Sequence, residues 1–211
     1  MRIIRPSVEF ITPLNEKAVT ERLEKCGRIC YKSEGKITEG SADKFISNII
    51  ARGHESVLEH CSVTVKFICD RGVSHEIVRH RMASYSQEST RYCNYSQGRF
   101  DGEITVIEPC YLKQGTEAYE AWKNACQKAE DSYFYLLGCG LSPQEARAVL
   151  PISLKTEIVM TANIREWRHF FRMRCSGAAH PQMREVTWQA LEGFCKEMPV
   201  LFEDIWEEMK R

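Results

Sequence analysis

The densest chemistry in the sequence runs from Arg79 to Tyr92: Arg-His-Arg-Met-Ala-Ser-Tyr-Ser-Gln-Glu-Ser-Thr-Arg-Tyr. Arg79, His80 and Arg81 set three cationic or titratable side chains in a row. Successive helix positions lie ~100° apart, so these three cannot share one face of a straight helix. They converge on one ligand only at a helix end or on an irregular segment; otherwise they serve different ligands or different subunits. The run beyond them is rich in hydroxyls and amides. Backbone N–H groups, the Ser89 hydroxyl and the Arg91 guanidinium together make a candidate phosphate cradle. A basic helix end followed by a polar loop is the plainer alternative.

Arginine is spread unevenly. Phe67–Leu112 holds five arginines and no lysine, and Thr156–Cys195 holds another five, Arg165, Arg168, Arg172, Arg174 and Arg184, again without lysine. Solubility alone would use both cations. Arginine alone is favoured where a planar fork grips phosphate, carboxylate or a ring edge. Structural salt bridges are the competing explanation.

The elements that must position these residues are legible as periodicities. Thr12-Pro13 reads as an N-cap with Pro at the first helical position, opening a helix to about Tyr31. Ser41 caps a second helix that Gly53 ends. Ser56 to Glu59 has capping-box spacing. Val63, Val65 and Phe67 alternate with polar residues as in a half-buried strand. A helix is expected from about Gly72 to Met82, then a loop or irregular strand from Ser84 to Asn94, and a strand at Ile104–Ile107. Thr116 opens a long helix to Gly138, and Ser142-Pro143 opens another to about Val149. Ser153–Ala162 reads as a strand, Asn163 caps a helix to about Arg174, and Pro181 and Pro199 start the last two helices. Helices outnumber strands, and there is no regular βαβ succession. The expected class is α+β: a single domain over residues 1–211, with a small antiparallel β-sheet flanked by several helices.

Composition narrows the function classes. The chain has 211 residues, 43% hydrophobic and 27% charged, as in ordinary globular domains. Its 29 basic and 29 acidic residues balance to zero net charge. That argues against a nucleic-acid-coating protein, although Tyr85, Tyr92 and Tyr95 interleaved with arginine could stack bases. The apolar runs are too short for a membrane span, and Met1–Phe10 does not read as a secretory signal. Ten cysteines include no Cys-x-x-Cys pair. They read as free thiols in a reducing cytoplasm, mostly small core residues, with no structural metal.

The segment Arg79-His80-Arg81, seven residues, then Ser89, extended by Arg91-Tyr92, resembles the signature of the flavin-dependent thymidylate synthases. Gly53-His54-Glu55-Ser56 with Glu59-His60, Arg147–Pro151, Asn163-Ile164-Arg165 and Phe170–Arg174 are similar to that family in order and spacing. The resemblance implies an enzyme that makes dTMP from dUMP by reductive methylation. It implies methylenetetrahydrofolate as carbon donor, NADPH as reductant and FAD as hydride relay, with no Cys nucleophile. It further implies a cytoplasmic homotetramer whose active sites are shared between subunits. By position, the flavin contacts implied are Ser56, Arg79, His80, Arg81, Gln87, Asn163, Arg165 and His169. The nucleotide contacts implied are Glu76, Ile77, Val78, Arg79, Gln87, Glu88, Ser89, Thr90, Arg91, Arg147 and Arg174, with Glu76 where relatives often have Gln. Arg174 matches the arginine that activates the uracil ring. A guanidinium is no general base, but its fork can stabilise the uracil anion. An FAD-binding protein without turnover is the third class considered.

Overall fold

The computed structural model describes residues 1–210, with the side chain of Arg99 outside the description. The strands are β1 (Arg2–Ile4), β2 (Ser7–Phe10), β3 (Ser62–Asp70), β4 (Ala83–Gln87), β5 (Thr105–Ile107) and β6 (Lys155–Asn163). The α-helices are α1 (Glu16–Ile29), α2 (Ser41–Ala51), α3 (Arg71–Ile77), α4 (Glu117–Gly138), α5 (Pro143–Ala146), α6 (Ile164–Arg174), α7 (Pro181–Glu197) and α8 (Pro199–Lys210). Four strands form a sheet in the order β2-β3-β6-β4, and β1 with β5 forms a second. The expected α+β class with a small antiparallel sheet is what the chain adopts. The β1–β5 pair, however, is parallel, with Arg2 opposite Thr105 and Ile4 opposite Ile107.

Contacts divide the chain into two compact units of three segments each. One comprises residues 1–7, 67–79 and 86–159; the other comprises 8–66, 80–85 and 160–210. The chain passes from one unit to the other within β2, β3, β4 and β6 and between Arg79 and His80.

The first unit is built on α4, whose N-cap Thr116 accepts a bond from the Tyr119 amide. Tyr95, Ile104, Val106, Cys126, Tyr133, Ala146 and Leu154 form its buried cluster. Where β3 ends and β6 begins, the Arg71 amide donates to the Leu154 carbonyl. The second unit packs aromatics: Trp167, Phe170, Phe171, Phe194 and Phe202 are fully buried. Gly193 of α7 is there because Phe10 lies against it; an added Cβ would come within 2.5 Å of the Phe10 ring. β3 and β6 are antiparallel there, with Ile164 N donating to Cys61 O and Thr64 Oγ1 paired to Thr161 Oγ1 at 2.9 Å.

Several boundaries differ from the periodicity reading. Ser41 is the first residue of α2 rather than its cap, which is Gly40; the Ser41 hydroxyl instead donates to the buried Glu24 carboxylate of α1 at 2.8 Å. α1 starts at an Asn15 cap, not at Thr12, because Thr12 pairs with Thr64, its Oγ1 accepting from the Thr64 amide at 3.0 Å. α3 stops at Ile77 rather than Met82. Its buried stripe of Val73, Ser74 and Ile77 runs out there, and continuing it would drive Arg81 inward. The turn at Ser56 is a 3₁₀ helix over Glu55–His60. All ten cysteines are free, but only Cys61, Cys69, Cys126 and Cys175 are buried, while Cys30, Cys110 and Cys139 are exposed. Burial pushes the Cys69 thiol up, and that of Cys175 to about 12, so neither is a ready thiolate.

Candidate active site

Because α3 ends at Ile77, Arg79-His80-Arg81 falls on non-helical backbone and its side chains diverge. Arg79 and Arg81 are exposed, whereas His80 is buried with 6% of its surface accessible. His80 belongs to the second unit, where α6 supplies the side chains that meet its imidazole. Asn163 starts that helix by accepting from the Glu166 amide at 2.8 Å. Glu166 and Arg174 then lie two turns apart, near one face. His80 bridges them. Its Nδ1 is 3.1 Å from Glu166 Oε1, and its Nε2 accepts from Arg174 Nε at 3.0 Å. The Phe170 ring meets the imidazole edge-on at 4.8 Å, and His169 lies at 5.6 Å between centroids. The Tyr85 hydroxyl donates to the His80 carbonyl at 2.6 Å. Burial pushes the His80 pKa down, and Arg174 and His169 add to this against the opposing pull of Glu166. Burial likewise pushes Tyr85 up to about 12.

His80, Glu166 and His169 bring three potential metal-ligand atoms within 4.8 Å. His80 Nδ1 faces Glu166 and its Nε2 faces Arg174, and the guanidinium beside the ring repels a cation. The geometry is that of a hydrogen-bonded chain.

The loop Gln87–Arg91 is held wholly within the first unit. Gln87 Nε2 donates to Ser74 Oγ at 2.8 Å and to Thr156 Oγ1 at 3.2 Å. The Glu88 carboxylate turns inward, receiving Lys155 Nζ at 2.8 Å and the Tyr95 hydroxyl at 3.2 Å. Arg71 Nη1 donates to the Glu88 carbonyl at 3.3 Å. Ser89 Oγ accepts from the Arg91 amide, and Arg147 Nη1 donates to Thr90 Oγ1 at 3.1 Å. Arg91 is exposed, its guanidinium over the Tyr92 ring. In α3, Glu76 is half-buried, and the Ile77 side chain is fully buried in the core. Val78, which caps α3, is exposed.

Ser56 lies in the second unit, on the wall of a 920 Å³ cavity with Arg28, Lys36, Arg52 and His54, and no carboxylate lines it among the described residues. Arg165 is exposed and paired to Glu59 at 2.6 Å. Two of the five arginines in the second lysine-free stretch are structural. Arg168 is fully buried, forked onto Asp204 of α8 and bonded to the Leu201 carbonyl, and Arg172 reaches Glu208 at 3.0 Å. Sequence reasoning missed Glu166, Arg71, Lys155 and Tyr85. The available signals were faint: Arg71 lies in the first lysine-free stretch, and Glu166 sits two helical turns before Arg174.

Fold and clusters together define an α+β protein with an arginine-rich polar cluster in each of two units. The family model described as thymidylate synthase complementing protein matches residues 15–200. A flavin-dependent thymidylate synthase of Pyrococcus furiosus is 37% identical over 171 residues, covering 81% of this chain and 69% of that protein. One from Geobacter sulfurreducens is 35% identical over 200 residues, covering 92% of this chain and 83% of that protein. Among solved structures, the UMP/dUMP methylase PolB from Streptomyces cacaoi, bound with 5-Br dUMP, superposes with a TM-score of 0.76 at 24% identity over 96% of each chain, a likeness of fold. The chain belongs to the thymidylate synthase complementing family.

Proposed function

We propose that this chain is a flavin-dependent thymidylate synthase, methylating dUMP to dTMP with methylenetetrahydrofolate as carbon donor, NADPH as reductant and FAD as cofactor. The observation that carries the reading is the convergence of Glu166, His169 and Arg174 on the His80 of the Arg-His-Arg run, within a chain whose relatives bear that name.

The residues present fit an anionic dinucleotide. Lys36, Arg52 and His54 lie with Ser56 on the wall of a cavity large enough for a cofactor, with no lining carboxylate to repel phosphate, while Arg28 on the same wall is paired to Glu24. His80, Arg79, Arg81, Gln87, Asn163, Arg165 and His169 are assigned to the flavin by family position. When bound, FAD supplies hydride acceptance and donation. The protein's own part is positional. Arg174, held by its Nε, presents a planar guanidinium that can bridge a uracil carbonyl and N3 and stabilise ring anion character. The Gln87–Arg91 loop, braced by Arg71, Lys155 and Arg147, offers amides, the Ser89 hydroxyl and Arg91 to the nucleotide phosphate. Glu76 can accept from a ribose hydroxyl or from uracil N3–H.

The same reading makes the 211 residues one catalytic domain, acting in the cytoplasm as a homotetramer with shared sites. Among the described residues no helix is long and apolar enough to cross a membrane. The deciding experiment is to denature the purified protein and analyse the supernatant, then assay dTMP formation. FAD release and dUMP-, folate- and NADPH-dependent turnover are expected. Absence of flavin, with no turnover after FAD is added, refutes the assignment.

A further inference from the structure

We propose that Glu166 is a positioning residue that fixes the proton of His80 on Nδ1 and thereby sets the plane of the Arg174 guanidinium. The hydrogen inventory leaves one arrangement. Arg Nε carries one hydrogen and has no acceptor capacity, so at 3.0 Å it donates and His80 Nε2 must be bare. The neutral imidazole then carries its single proton on Nδ1, which is 3.1 Å from Glu166 Oε1. A proton on Nε2 would set two N–H groups against each other.

Two features keep this chain ordered. The His80 side chain is 5% exposed and that of Glu166 12%, so water competes poorly for either bond. The ring is also packed edge-on against Phe170. The charged and titratable groups facing His80 are Glu166, His169 and Arg174 of α6, with the Tyr85 hydroxyl on its carbonyl. Anchoring the guanidinium at Nε determines the plane in which Nη1 and Nη2 point, and a forked contact to a planar ring depends on that plane. Use of the fork on uracil rests on the function proposed above; the Glu166–His80–Arg174 chain does not. Carboxylates that orient metal-bound histidines matter by about 10- to 100-fold, and an effect of the same order is expected of a carboxylate that orients His80.

The test begins with ¹⁵N-histidine-labelled holoprotein, reading the tautomer from two-bond ¹⁵N–¹H correlations, with His80→Gln assigning the signal. Wild type should show the Nδ1–H form. Glu166→Ala should show mixed tautomers, unchanged FAD content and a kcat for dTMP formation about 10- to 100-fold lower. Glu166→Gln retains an amide acceptor, so it should keep the Nδ1–H form and run at least about ten-fold faster than the Ala variant. A merely structural Glu166 would not separate Gln from Ala in this way. An Nε2–H tautomer in wild type overturns the proposal, whether or not either variant folds. So does an active Ala variant within about two-fold of wild type, a span well inside the effect expected of an orienting carboxylate. Wild type with the Nδ1–H form but no dTMP formation refutes the proposed function and leaves the tautomer assignment standing.

Discussion

Asp204→Ala should destabilise the protein sharply, while Glu208→Ala, one turn further along the same helix, should hardly matter. Both carboxylates pair with arginines of α6. Arg168 is fully buried and donates a forked pair of bonds to the Asp204 carboxylate, at 2.8 Å for one. Arg172 is 34% exposed and Glu208 49%, so their pair lies largely in water. Breaking a buried ion pair by removing one partner costs about 3–5 kcal/mol, because the remaining charge is desolvated and uncompensated. Asp204 is itself 45% exposed, and Arg168 keeps the Leu201 carbonyl and Glu55, so solvent and residual partners reduce the figure to about 2–3 kcal/mol. At roughly 2–4 °C per kcal/mol for a chain of this size, Tm should fall by about 5–10 °C. The exposed pair is worth at most about 1 kcal/mol. Urea unfolding at matched m-values checks both. A loss below about 0.5 kcal/mol for Asp204→Ala, or equal losses for the two variants, would refute the claim that burial rather than pairing sets the cost. The sign with pH follows. Burial alone would raise the Asp204 pKa, but the Arg168 hydrogen bond and charge outweigh it and hold the carboxyl below its ordinary value. Its contribution is therefore present above about pH 4 and is lost as the pH falls through the depressed pKa.

Three further outcomes are expected. Arg174→Ala should retain flavin but lose about 2–4 kcal/mol of transition-state stabilisation, roughly 30- to 1000-fold in dTMP formation, and Arg174→Lys should recover only part because a point charge cannot bridge two ring atoms. Normal turnover of the Ala variant at saturating dUMP would remove Arg174 from the chemistry. His80 is held neutral, its pKa lowered chiefly by burial, so its contribution is present above about pH 6.5 and declines below it. The urea midpoint should drop between pH 7.5 and about 5.5, and less so in His80→Gln; equal slopes would contradict this. Light scattering should find a tetramer, and a fully active monomer would contradict sites shared between subunits.

Local signals carried far along this chain. The alternation of Val63, Val65 and Phe67 places one face of β3 inward because strand side chains repeat every two residues, and all three are buried. Thr116 and Asn163 cap α4 and α6 as their side-chain chemistry dictates. Helical geometry ruled out one shared helix face for Arg79, His80 and Arg81 but left open whether they converge on irregular backbone, where the structure buries His80 and exposes both arginines; the family resemblance singled out Arg174. Other features were decided at long range. Thr12 has the chemistry of a cap, but Thr64 claims its hydroxyl from 52 residues away. Arg168 and Arg174 are the same residue type on one helix, yet the first is consumed by α8 and the second turns to His80. Glu166 shows only its two-turn spacing from Arg174, because its partner His80 is 86 residues distant. Residue type and spacing determine which bonds a side chain can make and which way a local element faces it. Which of those bonds forms depends on the partner that packing brings within about 3 Å in a site shielded from water, and only the tertiary structure supplies that partner.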